Sequence, residues 1–227
     1  MNNMMLKNMK RLLCMAAVLV VATAFFYVQR GTAQTAETPA AEADGFAAYR
    51  AVMEMKKGLQ LDGAERTLDY VKNMGQEETE EGNQLSFPRF AVLDADGDGR
   101  REVVIQECIG DGQYGSLILD AQDGKVYGYE LWLRAYMQLK VDGSFAFSSG
   151  AQDNGVGTLT LDRGQITYNT LGESRTQEDG GAAYFVDDKP SDEEGFQAVW
   201  NAHTQKEDVR WYDWTAENLD AVLGQTK

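Results

Sequence analysis

Histidine is almost missing from this sequence: His203 stands alone among 227 residues. Catalytic zinc sites and most imidazole relays need more than one ring, so those schemes are set aside. Cysteine is nearly as scarce. Cys14 falls in the N-terminal segment and Cys108 is the only one in the remainder, so the body forms no internal disulfide. Cys108 continues an apolar run and reads as a small buried hydrophobe; burial disfavours a thiolate, which argues against a Cys108–His203 dyad. Positive charge is short as well, with 21 Lys and Arg against 36 Asp and Glu and a formal net charge of −15. Nucleic acid and anionic membrane surfaces select Lys/Arg patches, and this balance excludes both as expected partners of the body. No Gly-x-Ser-x-Gly, phosphate-cradling glycine loop or His-Glu-x-x-His occurs either.

One long apolar run is present, Leu12 to Val28, preceded by Lys7, Lys10 and Arg11 and followed by the small residues Gly31-Thr32-Ala33. Residues 1–33 are therefore expected to be a signal peptide or a retained N-terminal membrane anchor. Either way the basic end stays inside and the body is exported. Cys14 opens the apolar run instead of following it, unlike a lipoprotein cysteine. Residues 34–43 (QTAETPAAEA) read as a flexible linker and 44–227 as one domain.

The most informative stretch is Phe90 to Ile105, FAVLDADGDGRREVVI. Two β-type runs flank a loop with acids at alternate positions, Asp94, Asp96 and Asp98. Gly99 then permits a sharp reversal, and Glu102 follows. Calcium takes six to eight oxygens, so these carboxylates, the main-chain carbonyl of Arg100 and Glu102 suit positions one, three, five, seven and nine of a calcium loop. Position twelve, a bidentate glutamate in helix–loop–helix sites, is Ile105. The β-branched run Val103–Ile105 points to strand–loop–strand, with affinity of the roughly 0.1–1 mM class. The alternative is a plain Asx/Gly-rich turn.

Around this hairpin the pattern is mixed. Helices are expected over Gly45–Lys57, capped by Asp44, and over Ala64–Met74, ending at Gly75. The acid run Gln76–Asn83 reads as a solvated loop. Short strands follow, among them Val126–Leu133, Met137–Val141, Phe145–Ser148, Val156–Leu161 and Gln165–Leu171. Asp123-Gly124, Asp142-Gly143, Asn154-Gly155 and Arg163-Gly164 punctuate them as tight turns, which makes neighbours antiparallel. Ser191 and Glu194 suggest a capping box opening a helix, and Thr215 caps a final one closed by Gly224. Aromatics at Tyr129 and Trp132 are core residues by default, with a weaker reading as a platform for sugar rings.

FAVLDADGDGRREVVI, DGKVYGYE (Asp123–Glu130) and YFVDDKPSDEEGF (Tyr184–Phe196) together resemble uncharacterised exported proteins of Gram-positive bacteria that carry a DxDGDGxxE hairpin. The loop itself is similar to those of integrin-type propeller repeats. That resemblance implies an exported domain with a calcium-type loop and no assigned activity. The expected fold is α+β: a single domain with one antiparallel sheet of about seven to nine strands, and helices from both termini packed on it. The expected function is an exported, calcium-stabilised, non-catalytic binding or interaction module at the cell envelope. Its partner would be an envelope protein or a glycan, with membrane contact only through the N-terminal segment. The alternative is a carbohydrate-recognition or carbohydrate-processing domain.

Overall fold

The computed structural model describes residues 40–77 and 85–224, with side chains described at 45–73 and 85–224. The leader, the first part of the linker and most of the acid run lie outside the described residues. The described residues fall within one compact unit. Among the described residues no helix is long and apolar enough to cross a membrane.

The chain is mostly β, with a few helices. Helix α1 (Ala40–Met53) starts inside the expected linker, because its Ala-rich opening AAEA favours helix over coil. It buries Phe46, Tyr49, Val52 and Met53, the apolar stripe read from the sequence. Strands β1 (Leu59–Leu61) and β2 (Ala64–Arg66) then form a hairpin, so that β2 replaces the first residues of the helix expected over Ala64–Met74. Its turn, Asp62-Gly63, has both residues at positive φ (51° and 76°), the backbone that Asp-Gly supplies readily. Helix α2 (Leu68–Glu77) follows and runs through Gly75 instead of stopping there.

The first sheet has eight strands. It adds β3 (Leu85–Ser86), β4 (Arg89–Leu93), β5 (Glu102–Ile109), β6 (Gly112–Gln122), β7 (Lys125–Trp132) and, late in the chain, β13 (Tyr212–Asp213). Its order is β13-β4-β5-β6-β7-β1-β2, with β3 on β5. The sheet is mixed, since β1 runs parallel to β7 at Gln60 and Tyr127. A second sheet, β12-β11-β10-β9-β8, is built from β8 (Phe145–Ser148), β9 (Asn154–Asp162), β10 (Gln165–Thr176), β11 (Ala182–Val186) and β12 (Lys189–Ser191). The single antiparallel sheet expected from the sequence is thus two sheets, one of them mixed. Met137–Val141 is not a strand but touches its neighbours through isolated bridges at Met137–Ala146 and Lys140–Asp208. Asn154-Gly155 is not a turn: it lies in β9, opposite Ser148 and Phe147.

Alternation along the strands explains the layering. Val103, Ile105, Leu117 and Leu119 point to one face of the first sheet, into a core with α1, α2 and α4 (Ala216–Leu223). Val104, Ile118, Tyr129 and Leu131 point to the other, into a core with Phe145, Leu159 and Leu161 of the second sheet. Helix α3 (Glu193–Thr204) covers the far face of that sheet, with Phe196 against Tyr184. The helices expected from both termini on a single sheet are instead divided between two sheets, and the first described helix begins at Ala40. β5 serves both cores, which is why Val103, Val104 and Ile105 are apolar in succession, Val103 and Ile105 entering one core and Val104 the other.

The caps follow the sequence chemistry with one shift. Asp192, not Ser191, caps α3 by accepting from Gly195 N at 2.8 Å; Ser191 is taken up in β12. Thr215 Oγ1 accepts from Asn218 N at 3.2 Å at the start of α4. Thr215→Ala is expected to lower unfolding free energy by about 1 kcal/mol. Urea titration followed by circular dichroism measures this, and an unchanged midpoint would show the cap to be dispensable.

Candidate metal centre

The β4–β5 hairpin pairs Phe90 with Ile105 and Leu93 with Glu102, so the acidic loop closes directly on the ladder. Within it one carboxylate oxygen from each of Asp94, Asp96 and Glu102 lies within 4.8 Å of the others. Backbone amides hold the carboxylates in place. Asp94 accepts from Gly97 N (2.7 Å) and Gly99 N (3.0 Å), Asp96 from Asp98 N (3.1 Å), and Glu102 from Ala95 N (2.8 Å). Gly99 adopts φ 89°, the reversal expected of it.

The structure brings together three of the four carboxylates read as ligands. Asp98 is engaged elsewhere: it accepts from the main-chain N of Arg100 (2.8 Å) and from its Nε (2.7 Å) and Nη2. A guanidinium two residues away is a planar, bidentate partner for a carboxylate. Arg100 also donates to Ala121 O at 3.2 Å, which ties the loop tip to β6.

Burial sets the electrostatics. Glu102 is 1% exposed, and desolvation, reinforced by Asp96, Asp120 and Asp98, pushes its pKa up to about 9. Burial likewise raises Asp96, against the amides of Asp98 and Leu161. Burial alone would raise Asp98 too, but Arg100's hydrogen bonds and charge hold it below the usual carboxylate range. A fourth acid, Asp120, escaped the sequence reading. It lies one step beyond Leu119, the partner of Val103, and so beside Glu102 on the neighbouring strand. It is 1% exposed and its pKa is pushed up to about 6, chiefly by burial. Its Oδ2 accepts from Gln122 Nε2 (2.6 Å) and from the Tyr129 hydroxyl (3.3 Å), while its buried Oδ1 has no hydrogen-bond partner. The available signal was an acid directly after the apolar run Leu117–Leu119.

The loop also joins the two sheets. Asp96 Oδ2 accepts from Leu161 N of β9 at 3.2 Å. The Asp142-Gly143 turn before β8 packs so closely that a Cβ at Gly143 would fall 2.8 Å from Ala95 O and 2.9 Å from Asp94 O. Of the aromatic candidates, Tyr129 is 4% exposed and bridges Asp120 and Gly164 N, so its ring belongs to the inter-sheet core. Trp132 is 66% exposed at the end of β7. His203 is buried with Nδ1 3.2 Å from Ser144 Oγ, and burial, then Lys140 and Lys206, lowers its pKa. Cys108 is half-buried in β5, less enclosed than its apolar neighbours suggested, and burial raises its pKa.

Comparison with protein-family models, curated proteins and solved structures returns no match.

Proposed function

We propose that this chain is an exported, non-catalytic binding module whose sheet-joining loop is stabilised by a calcium-type divalent cation. The observation that carries this reading is the convergence of Asp94, Asp96 and Glu102 oxygens within 4.8 Å, one of them from a side chain 1% exposed. Burying a carboxylate without a counter-charge is costly, and a hard dication neutralises such a cluster while satisfying its lone pairs. Asp120, buried alongside, supplies further negative charge. In this reading the cation acts on architecture: it fixes the β4–β5 loop, and through Asp96 and Leu161 it fixes the second sheet against the first. Export rests on the basic and apolar leader of residues 1–33.

Calorimetric titration of the purified protein with calcium chloride is expected to give one ion per chain, with Kd in the roughly 0.1–1 mM range. Glu102→Gln and Asp96→Asn are each expected to weaken binding at least tenfold. Absence of saturable heat in the unmodified protein, or undiminished binding in both variants, removes the cation from the proposal.

A further inference from the structure

Among the described residues the aromatic side chains differ widely in exposure. Most are in the cores, but Trp132 (66% exposed) and Tyr168 (48% exposed) stand at a cleft where the end of β7 and the 3-10 turn Leu133–Ala135 meet the second sheet. Its volume is about 420 Å³, within the range of small-molecule sites. The floor is the inner face of β8, β9 and β10, where Gly157 lies between Phe145 and Thr170, and Gly155 between Phe147 and Glu173. Glycine is required there: a Cβ on Gly155 would fall 2.2 Å from Cζ of Phe147, whose ring occupies that space. The result is a trough with an aromatic lining along β8 and Trp132 at its mouth. The Trp132 ring is positioned by Tyr114, with centroids 5.5 Å apart.

Polar groups ring this trough with both donors and acceptors. Arg134 Nη2 donates to Ser148 Oγ (2.7 Å) and Gly150 O (3.3 Å), which anchors the guanidinium at the rim. On the opposite side the Glu173 carboxylate is held by Arg175. Asn169 on β10 turns its side chain to the other face of the sheet, where its amide nitrogen donates to Thr160 Oγ1 at 3.0 Å. Fixed charges of both signs suit a neutral guest better than an ion: a cation meets Arg134, and an anion meets Glu173 and a chain of net charge −15.

We propose that this cleft binds a neutral pyranose ring. The C–H face of such a ring stacks on Trp132 and Tyr168, whose π faces are electron-rich, while its hydroxyls, each donor and acceptor, match Arg134 and Glu173. The proposal names the ligand of the binding module and rests on that reading, but it is independent of the cation.

The test is calorimetric titration of the full chain with soluble neutral oligosaccharides of glucose, xylose, mannose, galactose and N-acetylglucosamine, each run with calcium and with chelator. At least one is expected to bind saturably. Trp132→Ala and Tyr168→Ala, both at exposed positions, are expected to weaken that binding at least tenfold with an unchanged melting midpoint. Binding that persists in chelator supports the cleft even where the cation site fails. Silence across the panel, retention of binding in both variants, or preference for a uronic-acid oligosaccharide overturns the proposal.

Discussion

Adding about 1 mM calcium to chelated protein is expected to raise its melting midpoint by roughly 3–6 °C. For Kd near 0.1 mM, linkage gives about 1.4 kcal/mol, and a domain of this size shifts roughly 2–4 °C per kcal/mol. The increment should grow with pH. In the cation-free form Glu102 holds its proton up to about pH 9, and a ligating carboxylate must release it, so binding expels a proton and apparent affinity rises as pH rises. Calcium titrations at pH 6 and pH 8, each in two buffers of different ionisation enthalpy, measure that release. Asp96→Ala is expected to abolish the calcium increment while also removing the acceptor for Leu161 N. Equal midpoints with and without calcium at pH 8 would mean that the carboxylates converge for the sake of the turn alone.

The local part of this site was legible in the sequence, because alternate acids followed by glycine act over a few residues of chain. For that reason Asp94, Asp96 and Glu102 could be grouped from the spacing alone, and one carboxylate oxygen of each lies within 4.8 Å of the others. Asp98 is taken by Arg100 two residues on, a competition that the spacing of the acids does not reveal. Asp120 depends on the register of β5 against β6, which a single strand's sequence does not encode. The same limit governs the fold. Asp123-Gly124 and Arg163-Gly164 marked their turns, and all four residues take positive φ as such turns require. Nothing local said that the strands after Ser144 leave the first sheet and begin a second, because alternation looks alike in both. Asn154-Gly155 misled for a related reason: its glycine serves a close approach by Phe147 and not a turn.

Glu107→Gln is expected to stabilise the protein at alkaline pH and to do little in acid. Glu107 lies on the helix-facing side of β5, next to a register shift and opposite Gly115. It is 2% exposed, and its Oε1 has no hydrogen-bond partner. Desolvation, then the charge of Glu130, pushes its pKa up to about 8 from an ordinary 4.5. The sign follows from proton counts. Below about pH 4.5 both states are protonated and the residue is neutral to folding. Between 4.5 and 8 the unfolded chain has released the proton that the native state keeps, so stability falls as pH rises and levels off above 8. At roughly 1.4 kcal/mol per unit, the loss by pH 8 is on the order of 2–4 kcal/mol after allowance for relaxation. Glutamine keeps the shape and carries no charge, so the variant escapes it. Urea unfolding of both proteins at pH 5 and pH 8 isolates this residue, because Glu102 and Asp120 contribute equally to both curves. A difference between variant and parent that is the same at the two pH values would show that Glu107 is already ionised in the native state, stabilised there by something other than the desolvated strand.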